Sequence, residues 1–174
     1  MDEFQKLRKD LDNMLLDLLA CMAFERLRWP SSSITCPKCQ SDDRPYRIKR
    51  KSEKRGILRC KSCKKEFSLT TGTILENSHI PLRLWKKTAE ALAIAKEGLS
   101  SHRLSKGLGI TQKSAWFMIH RIRFAFKDRL KEKKGKLGGE TKAVMQNKPL
   151  QLHPLTWEEI IKTLLNTPPL PKSR

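Results

Sequence analysis

The apolar positions at the start of the chain predict a long helix. In residues 2–27 the large apolar side chains recur at steps of three and four, which places them on one face of a helix. Pro30 disfavours the helical conformation at Trp29, so the helix should end there. We expect its apolar face to pack against the rest of the chain or against a second copy. That face consists of Phe4, Leu7, Leu11, Met14, Leu15, Leu18 and Met22.

The next part of the chain has the pattern of short strands. Residues 46–49, 57–60 and 65–69 are brief segments in which apolar and polar side chains are interleaved. Residues 50–56, between the first two segments, are strongly basic and contain Gly56. This arrangement predicts a small antiparallel sheet in which the basic stretch forms the tip of a hairpin.

Residues 81–97 have the pattern of a helix that follows the strands. Gly98 comes directly after it, and glycine is the residue that most easily adopts the left-handed conformation beyond a helix end. We expect one side of this helix to face the interior. Its predicted inner residues are Leu84, Ala91, Leu92 and Ala95.

Two more helices should follow at once, joined by a tight turn at residues 108–110. Ser100 and Thr111 are good helix caps and predict helices over residues 101–107 and from residue 112 to about 127. Helix, short glycine-containing turn and helix is the arrangement of a helix-turn-helix unit, which reads DNA with its second helix. The inner face of that second helix should comprise Ala115, Met118, Ile119, Ile122 and Phe126.

The net charge of the chain indicates what kind of partner it binds. The chain has 174 residues and a formal net charge of +19, and 18 of those excess charges lie within residues 36–139. Such an excess indicates a polyanionic partner, nucleic acid before an anionic membrane. The sequence contains no stretch of about 18 apolar residues, so it predicts no membrane span. The acidic N-terminus lacks the basic start of a secretion signal, so we expect a cytoplasmic, nucleoid-associated protein.

Four of the five cysteines form two pairs with metal-ligand spacing. Cys36 and Cys39 are separated from Cys60 and Cys63 by a predicted hairpin, so two Cys-x-x-Cys turns could converge on one tetrahedral zinc ion. Four thiolates leave no open position for water, so the single zinc should be structural. An iron–sulfur centre or a redox pair is the alternative that the spacing leaves open. Cys21 stands alone on the first helix.

These segments together predict a mainly α fold with a small β zinc ribbon. A last short helix is expected at residues 157–165, capped by Thr156, within an otherwise irregular tail. The predicted units are the N-terminal helix, the four-cysteine zinc ribbon, the three-helix helix-turn-helix domain and the tail. Their boundaries are residues 1–30, 31–75, 76–135 and 136–174.

The basic and polar side chains of the central block are the candidate DNA contacts. We expect Gln112, Lys113 and Ser114 to meet base edges, because they lie at the start of the second helix of the helix-turn-helix unit. Other cations should contact phosphates, which fix position without reading sequence. A plain three-helix bundle with solvated charges is the alternative. The cations are Arg103, Lys106, Arg121 and Arg123 in the helices, and Arg50, Lys51, Lys54 and Arg55 at the hairpin tip.

Several motifs in order resemble the start of a bacterial insertion-sequence transposase of the DDE superfamily. The resemblance covers about residues 24–139 and implies a zinc ribbon and a helix-turn-helix that bind the terminal inverted repeats of the element. It implies as well a following RNase H-like domain that cuts DNA with three carboxylates and two metal ions. The motifs are RWP at 28–30, CPKC at 36–39, LRCKSCKKEFS at 58–68, TGTIL at 71–75, HIPLRLW at 79–85, GLSS at 98–101, GITQKSAW at 109–116 and MIHRIR at 118–123.

The sequence departs from that family after Gly139. Such transposases continue into a segment with the first catalytic aspartate, whereas residues 140–174 contain only Glu140, Glu158 and Glu159 as carboxylates. Two-metal phosphoryl transfer needs several converging carboxylates, so we expect no catalytic residue in this chain. The sequence thus predicts a zinc-dependent, sequence-specific protein that binds double-stranded DNA without cutting it.

Two other functions stay open beside this prediction. The first is an active transposase, either by itself or completed by another chain. The second is a zinc-ribbon module on RNA or on the transcription machinery. The expected partners are terminal inverted repeats or a related DNA site, together with a second copy or a full-length transposase, and no membrane.

Overall fold

The computed structural model describes residues 3–31, 33–48, 56–127 and 149–170. Within these residues the chain forms five α-helices and one three-stranded antiparallel sheet, so the predicted mainly α fold with a small β ribbon is confirmed at this level. The elements are α1 (Glu3–Arg28), β1 (Tyr46–Ile48), β2 (Ile57–Arg59), β3 (Glu66–Ser68), α2 (Leu82–Ile94), α3 (Ser101–Leu108), α4 (Gln112–Ala125) and α5 (Trp157–Asn166).

Helix α1 has the predicted length but packs with a different face. Ala20 and Phe24, one turn apart, are completely buried against the remainder of the fold, and Asp17 forms an ion pair with Arg83 at the start of α2. The face that the sequence pattern marks as apolar is solvent-exposed in this structure, with 53% exposure at Leu11 and more at its other members. The expectation that this face packs on the rest of the chain is therefore wrong. Its pairing with a second copy stays a prediction.

The sheet follows the order β1-β2-β3 and has one buried face. Leu58 of β2 lies opposite Phe67 of β3, and both are buried. Their neighbours Arg59 and Glu66 point to the other face and form an ion pair of 2.8 Å. This alternation is the period of two expected for strands with one face on a core.

The predicted inner face of α2 is only partly correct. Leu92 is fully buried as expected, but Leu84, Ala91 and Ala95 are only partly buried. Trp85 takes the central place, because its large ring lies at 1% exposure between α1 and the other helices. The residues that α2 buries completely or nearly so are Leu82, Trp85, Thr88, Ala89 and Leu92.

Gly98 has a different role from the predicted one. Helix α2 ends at Ile94, so Gly98 is not the residue that directly follows the helix. Its φ of +86° requires the left-handed conformation, and a side chain there would come within 3.0 Å of the Leu150 carbonyl oxygen. This close approach allows Leu99 and Leu150 to exchange two backbone hydrogen bonds of 2.8 and 2.9 Å.

Helices α3 and α4 begin at the caps that the sequence indicates. The Ser100 side chain accepts a hydrogen bond from the Arg103 backbone N–H, and the Thr111 side chain accepts one from the Ser114 N–H. Gly109 ends α3 with a φ of +63°, and the two helices are separated by three residues. The predicted inner face of α4 is confirmed, since Ala115, Met118, Ile119, Ile122 and Phe126 are all buried.

The C-terminal segment is more than the irregular tail that the sequence pattern suggests. Thr156 and Glu159 form a capping box at the start of α5, as the predicted cap requires. The helix packs against α1 and α2 and buries four aliphatic side chains. Residues 149–155 lead into it with Leu150 and Leu152 buried. The buried residues of α5 are Ile160, Ile161, Leu164 and Leu165.

No helix among the described residues is a candidate for membrane insertion. Among the described residues no helix combines the length and the apolar character that crossing a bilayer requires.

Candidate metal centre and nucleic-acid interface

The four paired cysteines lie on two turns with the same backbone arrangement. In the first turn the Cys36 N–H donates to the Ser41 carbonyl over 2.9 Å, and in the second the Cys60 N–H donates to the Lys65 carbonyl over 3.1 Å. Each turn places one residue in the left-handed conformation directly after its second cysteine, namely Gln40 and Lys64. The two turns therefore present their sulfurs to each other as a matched pair.

The sulfur atoms converge on one point. Cys36 Sγ lies 3.8 Å from Cys63 Sγ, and Cys39 Sγ lies 3.6 Å from Cys60 Sγ. All four atoms lie within 4.8 Å of one another. Sulfurs at about 2.3 Å from a central zinc are about 3.8 Å apart in a tetrahedron, so the four thiols are close enough to bind one zinc ion. The predicted ligand set thus fits the metal.

The environment of the sulfurs is that of a closed site. Cys36 and Cys60 are buried at 1% exposure, whereas Cys39 is exposed. The Ser41 and Ser62 hydroxyls, one from each turn, form a hydrogen bond of 2.9 Å that ties the two turns together. Four protein sulfurs complete a tetrahedron without a water molecule, so this arrangement supports structure and offers no open coordination position for catalysis.

The thiols differ in how readily they lose a proton. The backbone N–H of Cys63 is the largest of several hydrogen bonds that lower the pKa of Cys60 to about 7. The Ser41 backbone lowers the pKa of Cys39, but partial desolvation and the neighbouring sulfurs outweigh it and raise the pKa to about 12. Thiolates are the zinc ligands, so zinc binding here must release protons.

Arginine side chains join the ribbon to the helices around it. Arg28, at the end of α1, donates hydrogen bonds to the backbone carbonyls of Leu69 and Thr71, the second over 2.7 Å. Arg47 of β1 donates to the Glu25 carboxylate of α1 over 2.7 Å. These contacts fix the ribbon against the end of α1.

Arg121 makes the corresponding contact from α4. Its guanidinium donates to the carbonyls of Ile74 and Glu76, the second over 3.0 Å, in the segment that follows the ribbon. The same group lies 4.3 Å from the centre of the Phe117 ring, and burial lowers its pKa. Arg121 therefore faces the protein, whereas the sequence pattern assigns it to phosphate contact.

The outward side of α4 carries another set of residues. Trp116 is 48% exposed and its ring stacks on His120, with 5.0 Å between ring centres and 20° between planes. Lys113 precedes this pair by one turn and is exposed. Half-buried Arg123 follows it on the helix, and exposed Lys127 lies two residues beyond the helix end. Steps of three and four place these residues on one stripe. We call it the α4 stripe: Lys113, Trp116, His120, Arg123 and Lys127.

The burial around the stripe affects its basic groups. Partial burial is the main cause that lowers the pKa of His120, and the cations Arg123 and Arg121 lower it further. Burial lowers the pKa of Arg123 as well. His120 is therefore predominantly neutral at pH 7 and serves the stripe as an aromatic ring.

Two of the predicted base-reading residues hydrogen-bond within the protein. The Gln112 carbonyl oxygen accepts from the Ser105 hydroxyl over 3.1 Å, and its amide nitrogen donates to the Ser101 hydroxyl over 2.9 Å. The Ser114 hydroxyl lies 2.9 Å from the Thr111 hydroxyl. These bonds lock the turn between α3 and α4, so Gln112 must exchange partners before it can contact a base.

The remaining predicted contacts divide into two groups. Arg103 and Lys106 lie on α3 with exposed side chains. The four cations of the hairpin tip lie outside the described residues, so their contacts stay a prediction: Arg50, Lys51, Lys54 and Arg55.

Sequence reasoning did not select Trp116 as a candidate contact, although the structure exposes its ring beside His120. The signal was present in its position, three residues after Lys113 and four before His120. Phe117 and Arg121 formed an equally plausible aromatic and basic pair one position along. Only the packing of residues 74–76 against α4 decides which pair faces solvent.

Comparison with known proteins gives one informative match. Residues 19–66, somewhat more than a quarter of the chain, match the family model of the transposase zinc-ribbon domain of the IS1595 family. The matched segment includes the end of α1, strands β1 and β2, and all four metal-site cysteines. The predicted resemblance to transposases is confirmed for this segment, and the match covers no catalytic domain. No curated protein and no solved structure matches the chain.

Proposed function

We propose that this protein binds a specific duplex DNA sequence through α3 and α4, supported by a structural zinc ribbon, and that its described residues provide no centre for DNA cleavage. The DNA site would be a terminal inverted repeat of a transposable element or a related sequence. The observation that carries the proposal is the exposed α4 stripe, a row of basic and aromatic side chains on the second helix of a helix-turn-helix arrangement.

The local geometry supports α3 and α4 as a helix-turn-helix. The connection between them is three residues long, begins with the left-handed Gly109 and ends with the Thr111 cap. The Gln112 amide crosses the turn to Ser101 and Ser105 and fixes the angle between the helices. In such a unit the second helix enters the major groove and its first turns meet the bases.

We assign the contacts from the exposed side chains. Lys113 suits a guanine edge, and Trp116 with His120 suits an apolar contact such as a thymine methyl group. Arg123 and Lys127 lie further along the same stripe, and Arg103 and Lys106 lie on α3. We propose that these four cations contact phosphates on either side of the bases read. Gln112 and Ser114 would contribute only after exchanging their internal bonds.

Arg121 takes a positioning role in this proposal. Through the carbonyls of Ile74 and Glu76 it connects α4 to the segment that leaves the ribbon. The zinc ribbon would thereby set the orientation of the reading helix as well as contribute the basic hairpin of residues 50–56. This connection gives a physical reason why a module with a structural metal accompanies the DNA-reading helices.

Electrostatics supports a duplex partner for the whole central block. The net charge of +18 over residues 36–139 would attract any polyanion, so it explains affinity and not sequence preference. Sequence preference would come from the few side chains that reach base edges. The two contributions are separable, because only the first weakens steeply as salt rises.

The test uses variants of the zinc-loaded protein and a duplex selected by the wild type from a random pool. Lys113→Ala should weaken binding to the selected duplex by about 10-fold or more and relax the preference at one base pair, since a good base contact contributes ~1–3 kcal/mol. Lys162→Ala removes the same charge from an exposed position on α5 and should have almost no effect. Equal losses for the two variants, measured by fluorescence anisotropy at one salt concentration, would contradict the assignment of α4 as the reading helix.

One observation favours a second candidate function. An exposed tryptophan stacked on a histidine among cations is also a platform on which unpaired bases stack. Competition between the selected duplex and a single-stranded RNA of matched length separates the two functions. Stronger binding of the RNA would favour an RNA-binding module.

A cleavage assay separates the proposal from an active transposase. Within the described residues, the cluster of side chains able to hold a metal consists of four cysteines and no carboxylate. We therefore expect no strand cleavage of the selected duplex with Mg²⁺ or Mn²⁺. Cleavage of the selected duplex by the purified protein would identify an enzyme, provided that a zinc-loaded variant unable to bind this duplex does not cleave it.

A further inference from the structure

The first five turns of α1 expose an apolar surface that the other described residues leave uncovered. Every side chain from Glu3 to Asp12 is exposed, so this end of the helix projects from the core. The exposed apolar residues continue on one side to Met22. We call this surface the α1 stripe: Phe4, Leu7, Leu11, Met14, Leu15, Leu18 and Met22, each between 53% and 71% exposed.

We propose that the α1 stripe pairs with the α1 stripe of a second copy of this chain in a parallel helix pair. The proposal goes beyond DNA binding and does not require it. Phe4, Leu11 and Leu18 are seven residues apart, and Leu7 and Met14 fall between them. These alternating steps of three and four are the a and d positions of a heptad repeat, the seam along which two helices supercoil.

The exposed area is large enough for a dimer. At about 100 Å² for each exposed large side chain, the seven residues of the stripe offer roughly 700 Å² per copy, close to the ~800 Å² per partner of a standard interface. Monomeric proteins seldom leave an apolar patch of this size in water. A projecting helix end of some ten residues is also marginal by itself, and a partner helix would stabilise it.

The space beside the stripe accommodates a second helix. Leu11, Met14 and Leu18 form one wall of a groove of about 1190 Å³. The lining of that groove also includes Leu69 of the ribbon and Arg83 of α2. A helix with its side chains is ~10 Å across, so one or two turns of the partner could lie in this groove while the exposed end pairs beyond it.

Charge favours a parallel pair of identical helices. Relative to the seam, Glu3 and Asp10 are g positions and Arg8 is an e position. In a parallel pair Glu3 lies opposite Arg8 of the partner subunit, and this contact occurs twice by symmetry. An antiparallel pair would instead place acidic g residues opposite each other, Asp10 beside Asp17 of the partner subunit. The N-terminal 35 residues have a net charge of −1, so this element itself adds little like-charge repulsion between two copies.

Sedimentation equilibrium of the zinc-loaded full chain, without DNA, tests the proposal. We expect a dimer at micromolar concentration for the wild type. The double variant Leu11→Glu, Leu18→Glu should weaken dimerisation at least 100-fold, because it places four charges in the seam. Both residues are more than half exposed, so the fold of each chain should persist, with one zinc per chain and an unchanged helical spectrum. A monomeric wild type, or a dimer that this variant leaves intact, would overturn the proposal.

A matched control separates the stripe from exposed apolar surface in general. Ile94 at the end of α2 is 77% exposed and lies outside α1. Ile94→Glu should therefore leave the dimer unchanged. If it disrupted the dimer as strongly as the α1 variant, the interface would lie elsewhere.

A charge reversal tests the parallel orientation. Arg8→Glu should weaken the dimer several-fold, because Glu3 of one copy would then lie opposite a glutamate. Adding Glu3→Arg to this variant restores opposite charges and should recover most of the loss. Independent, additive effects of the two substitutions would exclude the parallel pair. If DNA binding is also established, the dimer would present two reading helices and require a site with two half-sites.

Discussion

The zinc ribbon and the helical body are stabilised by different means. The three strands of the ribbon have three residues each, and of these nine residues Leu58 and Phe67 are buried, whereas the four cysteine sulfurs lie at zinc-ligand spacing. The helical body formed by α2 to α5 buries apolar residues from every one of its helices. So small a sheet cannot bury enough apolar surface to fold alone. Metal binding must therefore supply the folding free energy that the helical body gains from packing its core.

The substitution with the largest expected effect should unfold the zinc ribbon and leave the helical body folded. Cys60→Ser removes one of the two most buried ligands, so zinc binding and the ribbon should be lost together. The apparent free energy of zinc binding to such sites is ~10 kcal/mol or more, and packing within the small ribbon cannot replace that stabilisation. We expect loss of the bound zinc, measured with a chromophoric chelator, while most of the helical circular dichroism remains. Complete loss of helical signal would mean that the two regions fold as one unit.

A smaller effect should appear in the body alone. Leu164 of α5 is fully buried, and Leu164→Ala leaves a cavity where α5 packs among the other helices. We expect a loss of about 3 kcal/mol in the free energy of unfolding. Urea unfolding followed by circular dichroism gives the value, and the zinc content should stay at one per chain. A change in zinc content would contradict the separation of the two regions.

A third substitution tests the contact that joins the regions. Arg121→Met keeps the length of the side chain but leaves the carbonyls of Ile74 and Glu76 without their charged donor. We expect a loss of about 2 kcal/mol in unfolding free energy. Zinc affinity should fall only slightly, whereas specific DNA binding should fall more, because α4 is no longer held at its angle. Lys162→Met, at an exposed position on α5, is the control for charge alone.

The smallest effect concerns the capping box of α5. Thr156→Ala removes the side-chain acceptor for the Glu159 N–H and should cost about 1 kcal/mol in unfolding free energy. The measurement is a thermal melt beside wild type, with Thr163→Ala as a mid-helix comparison on α5. A loss as large as that of Leu164→Ala would show that the cap does more than close the helix end.

Local chemistry made much of this fold predictable. The cysteine spacing located the metal site, and Ser100, Thr111 and Thr156 marked three helix starts correctly, because a cap depends on atoms within three residues of itself. The inner face of α4 was predicted as well, since five apolar residues fall on one side of the helix at helical spacing.

Faces that depend on distant partners were not predictable in the same way. Helix α1 has apolar residues on more than one side, and only the position of α2 and α5 selects Ala20 and Phe24 for burial. On α4 the contact of Arg121 with residues 74–76 turns Trp116 and His120 outward. The burial of α5 follows from the pairing of Leu99 with Leu150, two residues that are 51 positions apart.

The most direct test of the central claim compares two duplexes at one salt concentration. The zinc-loaded protein is titrated into a duplex selected from a random pool and into a scrambled duplex of equal length and composition. Sequence-specific recognition predicts an affinity for the selected duplex that is about 10³-fold higher or more, the usual margin of specific over nonspecific binding. Equal affinities for the two duplexes would contradict sequence-specific recognition and leave only the attraction of a basic surface for DNA.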